Sequence, residues 1–183
     1  MDRRKLRKSY DTPYHAHFLT FSTYQRQQFF LLPGVAEVFL GYLDVARRSL
    51  NFDLWAYVVM PEHTHILVRP REGSYSMPAI LKAIKTPSAR EVFRLNPSLR
   101  ESCLVEGRHG EEEFRFWQAG GGYDRNIFTA REAWEKIRYL HYNPVKRGLC
   151  SRSSEWVMSS AGAYLDEPQP TPIPVDICLW RND

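Results

Sequence analysis

Residues 57–68, Tyr-Val-Val-Met-Pro-Glu-His-Thr-His-Ile-Leu-Val, set two histidines one residue apart among apolar, largely β-branched neighbours. Side chains on an extended strand alternate faces, so His63 and His65 share one face and Thr64 takes the other. Two neutral imidazoles side by side on a sheet make a start on a divalent-metal site. The competing reading is two polar residues on the solvated face of an antiparallel strand. A second stretch, residues 134–148, carries Trp134, Ile137 and Leu140 at helical spacing, with Ala133 just before them. Pro144 is expected to stop that helix. Tyr139 and Asn143 are four apart, hence on one face of its last turn. Facing the histidine pair, they would supply a nucleophile and a third metal ligand. Otherwise Tyr139 is a core or interface aromatic and Asn143 a helix-terminal residue.

Taken together, the two stretches resemble a known pattern. Met60-Pro61-x-His63-x-His65, followed by Tyr139-Leu140-His141-x-Asn143-Pro144-Val145-Lys146-x-Gly148, is similar to the HUH-type single-tyrosine transposases. Within them it looks most like the REP-associated tyrosine transposases. Phe116-Trp117-Gln118 ahead of Tyr123-Asp124-Arg125, and Ser159-Ser160 with Tyr164, extend the resemblance over residues 14–165. Three positions depart from the pattern. Glu62 stands where asparagine is commonest, a change expected to affect the turn more than the ligands. Gly121 and Gly122 stand where bulky residues are usual, which bears on the DNA contacts of that loop.

The resemblance implies an enzyme that cleaves and rejoins single-stranded hairpin or repetitive palindromic DNA, as a monomer or a homodimer. It implies Tyr139 as the nucleophile, with His63, His65 and Asn143 holding a divalent cation, Mg2+ or Mn2+. The chemistry is coherent. A phenol with a pKa of about 10 is a poor nucleophile at neutral pH, and a bound cation polarises the phosphodiester it attacks. Neutral imidazoles suit manganese better than magnesium. Attack would give a 5′-phosphotyrosine and free a 3′-hydroxyl. That link keeps the ester's energy, so rejoining needs no nucleotide, and the chain has no Gly-x-x-x-x-Gly-Lys-[Ser/Thr] motif.

Tyr142 and His141 compete for roles at this site. By resemblance Tyr142 falls at a variable position, and His141, on another helix face, is a candidate base or DNA contact. Two other function classes stay open. One is a nucleic-acid-binding module of the same fold that does not cleave. The other is a metal-dependent hydrolase of a small substrate using His15, His17, His63 and His65, since His15-Ala16-His17 is a second His-x-His.

The elements that would position these groups follow from periodicity. Residues 15–23 alternate as a strand, and a helix with Val35, Val38, Phe39, Tyr42, Leu43 and Ala46 inward follows Pro33-Gly34. Residues 54–60 form the next strand, joined to the histidine strand by a tight connection at Met60-Pro61-Glu62. Residues 77–95 read as a helix that Pro87 should break or kink. Residues 96–113 read as a surface loop with room for a short helix, and 114–118 as the last strand. Gly120-Gly121-Gly122 reads as a flexible link. Thr129 and Glu132 form a capping box at the start of the Tyr139 helix. The order suits an α+β ferredoxin-like sandwich, an antiparallel sheet with helices on one face. Its central strands would carry His63 and His65 outward towards the Tyr139 helix.

The 183 residues, 43% hydrophobic, suit one compact domain. No apolar run approaches a membrane span and the N-terminus is charged rather than signal-like, so no membrane role is expected. Three dispersed cysteines, Cys103, Cys150 and Cys178, point to reduced thiols in a cytoplasm, and the resemblance implies a bacterial, nucleoid-associated protein. The net charge of +4 is local. Residues 1–8 hold five of the 25 basic residues (Arg3, Arg4, Lys5, Arg7, Lys8) and one of the 21 acidic ones, which leaves 20 of each. Residues 1–13 therefore read as a basic arm for a phosphate backbone. Lys82, Lys85, Lys146 and Arg147 are further candidate DNA contacts. Residues 14–165 form the catalytic domain. Residues 166–183, with Pro168, Pro170, Pro172 and Pro174, form an extended tail whose end, 175–180, either adds a strand or packs on the body.

Overall fold

The computed structural model describes residues 11–107 and 110–180. The basic arm, with Arg3, Arg4, Lys5, Arg7 and Lys8, lies outside the described residues. In chain order the elements are β1 (Ala16–Ser22), α1 (Val35–Ser49), β2 (Phe52–Met60), β3 (His63–Pro70), α2 (Met77–Leu95), α3 (Pro97–Ser102), β4 (Leu104–Glu106), β5 (Glu112–Phe114), β6 (Tyr123–Ile127) and α4 (Ala130–Lys146). Four strands make an antiparallel sheet in the order β2-β3-β1-β6. This is the expected β-α-β-β-α-β frame, with a small β4–β5 hairpin inserted before its last strand.

Strand alternation divides the core in two. Leu19, Phe21, Leu54, Tyr57, Ile66 and Val68 pack with α1 and α2, while Phe18, Trp55, Val58, Met60, Leu67 and Ile127 pack with α4. The helix layer expected on one face is α1 and α2. Helix α4 takes the opposite face, the one onto which His63 and His65 project. Cover on both sides explains why β2 is buried almost throughout. Helix α4 is seated by Ile137 and Leu140, both buried, each contributing on the order of 1.5–3 kcal/mol. That anchorage holds Tyr139 over the sheet.

Neither proline interrupts its helix. Helix α2 runs through Pro87. The Ser88 hydroxyl donates to the Ile84 carbonyl at 2.7 Å, and the Trp117 indole donates to the Lys85 carbonyl at 2.9 Å. The carbonyl left without its helical donor by Pro87 is that of Ala83, and these two contacts serve the next carbonyls along. Helix α4 runs through the buried Pro144 to Lys146, and the Arg147 N–H still returns to the Asn143 carbonyl at 3.1 Å.

The last sheet strand is not 114–118. Phe114 ends the β4–β5 hairpin, and Phe116 and Trp117 plug the α1–α2 core, with Gln118 N–H on the Ser22 carbonyl at 2.9 Å. The strand is β6, an edge strand whose polar run Tyr-Asp-Arg-Asn gives little hydrophobic signal. Residues 96–113, expected as a surface loop with room for a short helix, contain that helix as α3, together with β4 and the start of β5. The glycine run before β6 is no simple link either. Gly122 has φ +80°, and a Cβ there would press into the Thr20 carbonyl oxygen and against Phe21. Gly122→Ala is expected to destabilise the fold by at least about 1–3 kcal/mol, the usual strain of a non-glycine residue in that region. Gly121→Ala, with open space around its Cβ, should change little. Urea denaturation of the two variants measures the difference.

The end of the tail packs on the body. Asp176 N–H donates to the Leu54 carbonyl at 2.8 Å, Trp180 meets Trp55 edge-on, and the Trp134 indole donates to the Trp180 carbonyl at 2.8 Å. Among the described residues no helix is long and apolar enough to cross a membrane.

Candidate active site

Strand β3 lies between β2 and β1, so its side chains are fixed from both edges. His65 stands opposite Thr20 of β1, and the Thr20 hydroxyl lies 2.6 Å from His65 Nδ1. Phe18, on the same face of β1, stacks on the His65 ring with centroids 5.4 Å apart. His63 and His65 turn their Nε2 atoms towards each other at 3.1 Å. Across from them, α4 presents Lys136, Tyr139 and Asn143, spaced to share one helix face. The Tyr139 ring meets His65 at 5.5 Å and Phe18 at 6.0 Å, both edge-on. Asn143 Nδ2 lies 3.0 Å from His65 Nε2, and Lys136 Nζ lies 5.6 Å from the Tyr139 ring centre. The cluster is graded in depth: both histidines and Asn143 are buried, whereas Tyr139 is 45% exposed.

The protonation states follow from burial and partners. Burial pushes His65 down to about 3, assisted by His63 and Lys136. Burial also lowers His63, against the opposing pull of Glu62. Both rings are therefore neutral near pH 7. His63 Nδ1 lies 2.9 Å from Glu62 Oε1 and must donate to that carboxylate, which leaves its Nε2 as a bare lone pair. His65 Nε2 cannot then donate to His63 and accept from the Asn143 amide at once. One convergent contact is mismatched in either tautomer of His65.

A cation removes the conflict. Rotating the Asn143 amide exchanges its N and O atoms, and two imidazole lone pairs and a carbonyl oxygen then converge. The donor set thus fits a divalent ion. Among the described residues no group of three His, Cys, Asp or Glu side chains is arranged to hold one, and the amide oxygen of Asn143 would be the third donor beside the two imidazoles.

Other sequence candidates fall elsewhere. His17 points to the opposite sheet face, its Nδ1 2.9 Å from Asp124 and its Nε2 2.7 Å from the Tyr75 hydroxyl. His15 packs edge-on against Phe128. The four histidines do not converge, so the small-substrate hydrolase built on them has no site. His141 is buried, its Nε2 2.8 Å from the Ser160 hydroxyl and its ring against Tyr164. It docks the segment after α4 and is neither a base for the cluster nor an exposed contact. Tyr142 is 57% exposed and lines a separate groove with Trp134 and Arg138.

Of the basic candidates, Lys82 and Lys146 are exposed. Lys85 donates to the Gly120 carbonyl at 3.2 Å and lies over Phe21 and Trp117. Arg147 is paired with Glu62. Glu62 does more than shape the turn, since it bonds a site histidine directly. Sequence reading also passed over Thr20, Phe18 and Lys136. The first two share the alternation of β1 that puts them on one face, and Lys136 precedes Tyr139 by three residues. Their relevance depends on the β1–β3 register and the seating of α4, neither of which is local.

Residues 10–127 match the family described as IS200-like transposase. The match stops short of α4, so it covers the histidine pair but not Tyr139. A Haemophilus influenzae protein described as a REP-associated tyrosine transposase is 22% identical over 144 residues, 79% of this chain and 78% of that protein. A solved structure of a REP-associated tyrosine transposase bound to a REP hairpin shares the fold, with a TM-score of 0.68 and 19% identity. The alignment covers 94% of this chain and 92% of that one.

Proposed function

The chain belongs to the IS200-like transposase family, and from that premise we propose that it cleaves and rejoins single-stranded hairpin DNA through Tyr139. The observation that carries this reading is an exposed tyrosine hydroxyl-bearing ring at the rim of a buried His63–His65–Asn143 cluster. The neighbour solved with a REP hairpin supports the choice of a folded palindrome as substrate.

In the proposed step the Tyr139 oxygen forms a bond to phosphorus and gives up its proton. The bond from phosphorus to the 3′-oxygen breaks, and that oxygen leaves as a 3′-hydroxyl after taking a proton. The DNA 5′ end stays on the enzyme as a phosphotyrosine, and reversal with another 3′-hydroxyl rejoins the strand. His63, His65 and Asn143 would hold Mn2+ or Mg2+, which supplies charge stabilisation at the phosphate oxygens. Lys136 Nζ lies over the rings of Phe18 and Tyr139, a cation–π contact that helps hold the nucleophile's ring in place. Phe18 and His65 hold the ring edge-on, which limits its rotation and keeps the nucleophile aimed. One chain supplies every group named.

The test is covalent trapping. Labelled single-stranded hairpin DNA incubated with the protein and manganese should yield a protein–DNA species that survives a denaturing gel, and EDTA should abolish it. Tight binding to several hairpins without any adduct would instead identify a binding module that has kept the fold and lost cleavage.

A further inference from the structure

The Pro61-Glu62 turn buries a carboxylate beside the histidine pair. Glu62 is only 4% exposed, and a single oxygen of it, Oε1, serves three donors. These are His63 Nδ1 at 2.9 Å, Arg26 Nη2 at 3.2 Å and Arg147 Nη1. Its other oxygen, Oε2, is buried with no hydrogen-bond partner. The turn itself is already held through the backbone, where the Glu62 carbonyl accepts from the Thr23 N–H and the Thr23 hydroxyl, each at 3.0 Å. Backbone geometry at this position therefore does not call for a buried, half-satisfied charge. Something else keeps it there.

The three donors belong to three elements. His63 begins β3, Arg26 lies in the 3-10 turn after β1, and Arg147 caps the C-terminal end of α4. Arg147 follows Asn143 by one turn, so the Glu62–Arg147 pair joins the strand bearing the histidines to the helix bearing Tyr139 and Asn143. Arg26 and Arg147 are the cations that face this carboxylate. Charge balance alone could be met at the surface, whereas only a carboxylate at position 62 meets both Nδ1 of His63 and the end of α4.

We propose that Glu62 is a positioning residue with two linked effects, resting on the reading of this cluster as the active site. It keeps the His63 proton on Nδ1, so that Nε2 faces the cluster as a bare lone pair. Through Arg147 it also fixes the spacing between the histidine strand and the nucleophile helix. A carboxylate behind a metal-binding imidazole makes the ring a better donor.

Two measurements without DNA test this. Proton–nitrogen correlation of the histidine rings in metal-free protein reports the His63 tautomer, and manganese titration by calorimetry reports affinity. Wild type should show His63 protonated on Nδ1. Glu62→Ala should lose that preference and bind manganese about 10–100-fold more weakly. Arg147→Ala keeps the Glu62–His63 bond and should keep the tautomer while losing affinity by a smaller factor. Glu62→Gln preserves the shape of the turn should the alanine variant unfold, and it should still weaken manganese binding towards the lower end of that range. Thermal unfolding checks each variant. A folded Glu62→Ala or Glu62→Gln with wild-type tautomer and wild-type affinity overturns the proposal. Failure of the functional reading looks different: wild type would give no covalent adduct, whatever Glu62 does to the ring.

Discussion

Tyr139→Phe is expected to abolish the covalent protein–DNA species, and Tyr142→Phe to leave it at the wild-type level. The first substitution removes one oxygen and keeps the ring that packs edge-on against Phe18 and His65, so fold and helix seating should survive. With the nucleophile gone no other hydroxyl of α4 faces the cluster, and the loss should be on the order of 10⁴-fold or more, as for other covalent nucleophiles. Tyr142 lies three residues on, yet lines the groove shared with Trp134 and Arg138. None of His63, His65 and Asn143 lines that groove. The denaturing gel used for trapping reads both variants, with hairpin binding measured in parallel to show that each still holds its substrate. Adduct lost in Tyr142→Phe and retained in Tyr139→Phe would move the nucleophile to that groove and leave the histidine pair without a role.

The histidine pair and the tyrosine–asparagine pair were legible because each rests on a rigid local period. Two residues along a strand and four along a helix fix a shared face whatever the rest of the chain does. That the two faces meet needed the family resemblance, because nothing local says that α4 crosses the sheet above β3. Glu62 illustrates the opposite limit. Its arginine partners lie 36 and 85 residues away, and only the folded chain brings them to one carboxylate oxygen. Thr20 is similar, since its contact with His65 depends on the β1–β3 register. The fourth sheet strand was hidden because β6 is a polar edge, while the more apolar 114–118 segment owes its character to plugging a core. Neither helix proline ends its helix, for another reason. The rule concerns one lost backbone hydrogen bond per helix, a cost that burial of the flanking residues outweighs, Ile84 and Ser88 around Pro87 and Leu140 and Asn143 around Pro144.

Asn143 carries the second large expected effect, because in the proposed site it is the one donor that the helix would add to the pair on the sheet. Asn143→Ala should lower manganese affinity by more than the ~10–100-fold typical of losing an outer partner, and cleavage should fall at least as far. Alanine is the better helix former, so a weakened α4 would not explain such a loss. Asn143→Asp separates donor from shape. It puts a hard anionic oxygen where the amide stood, which suits Mn2+ and Mg2+. At 8% exposure that carboxylate is poorly solvated without a cation, so metal-free Asn143→Asp should melt below wild type. Added manganese should then raise its melting temperature more than it raises that of wild type, since an ion bound only by the folded state stabilises it. Calorimetry and a melting series with and without manganese measure both variants. If Asn143→Ala binds manganese as wild type does, the two imidazoles hold the ion without the helix. Asn143 would then serve to dock α4 on His65, and the alignment of Tyr139 would rest on Glu62 and Arg147.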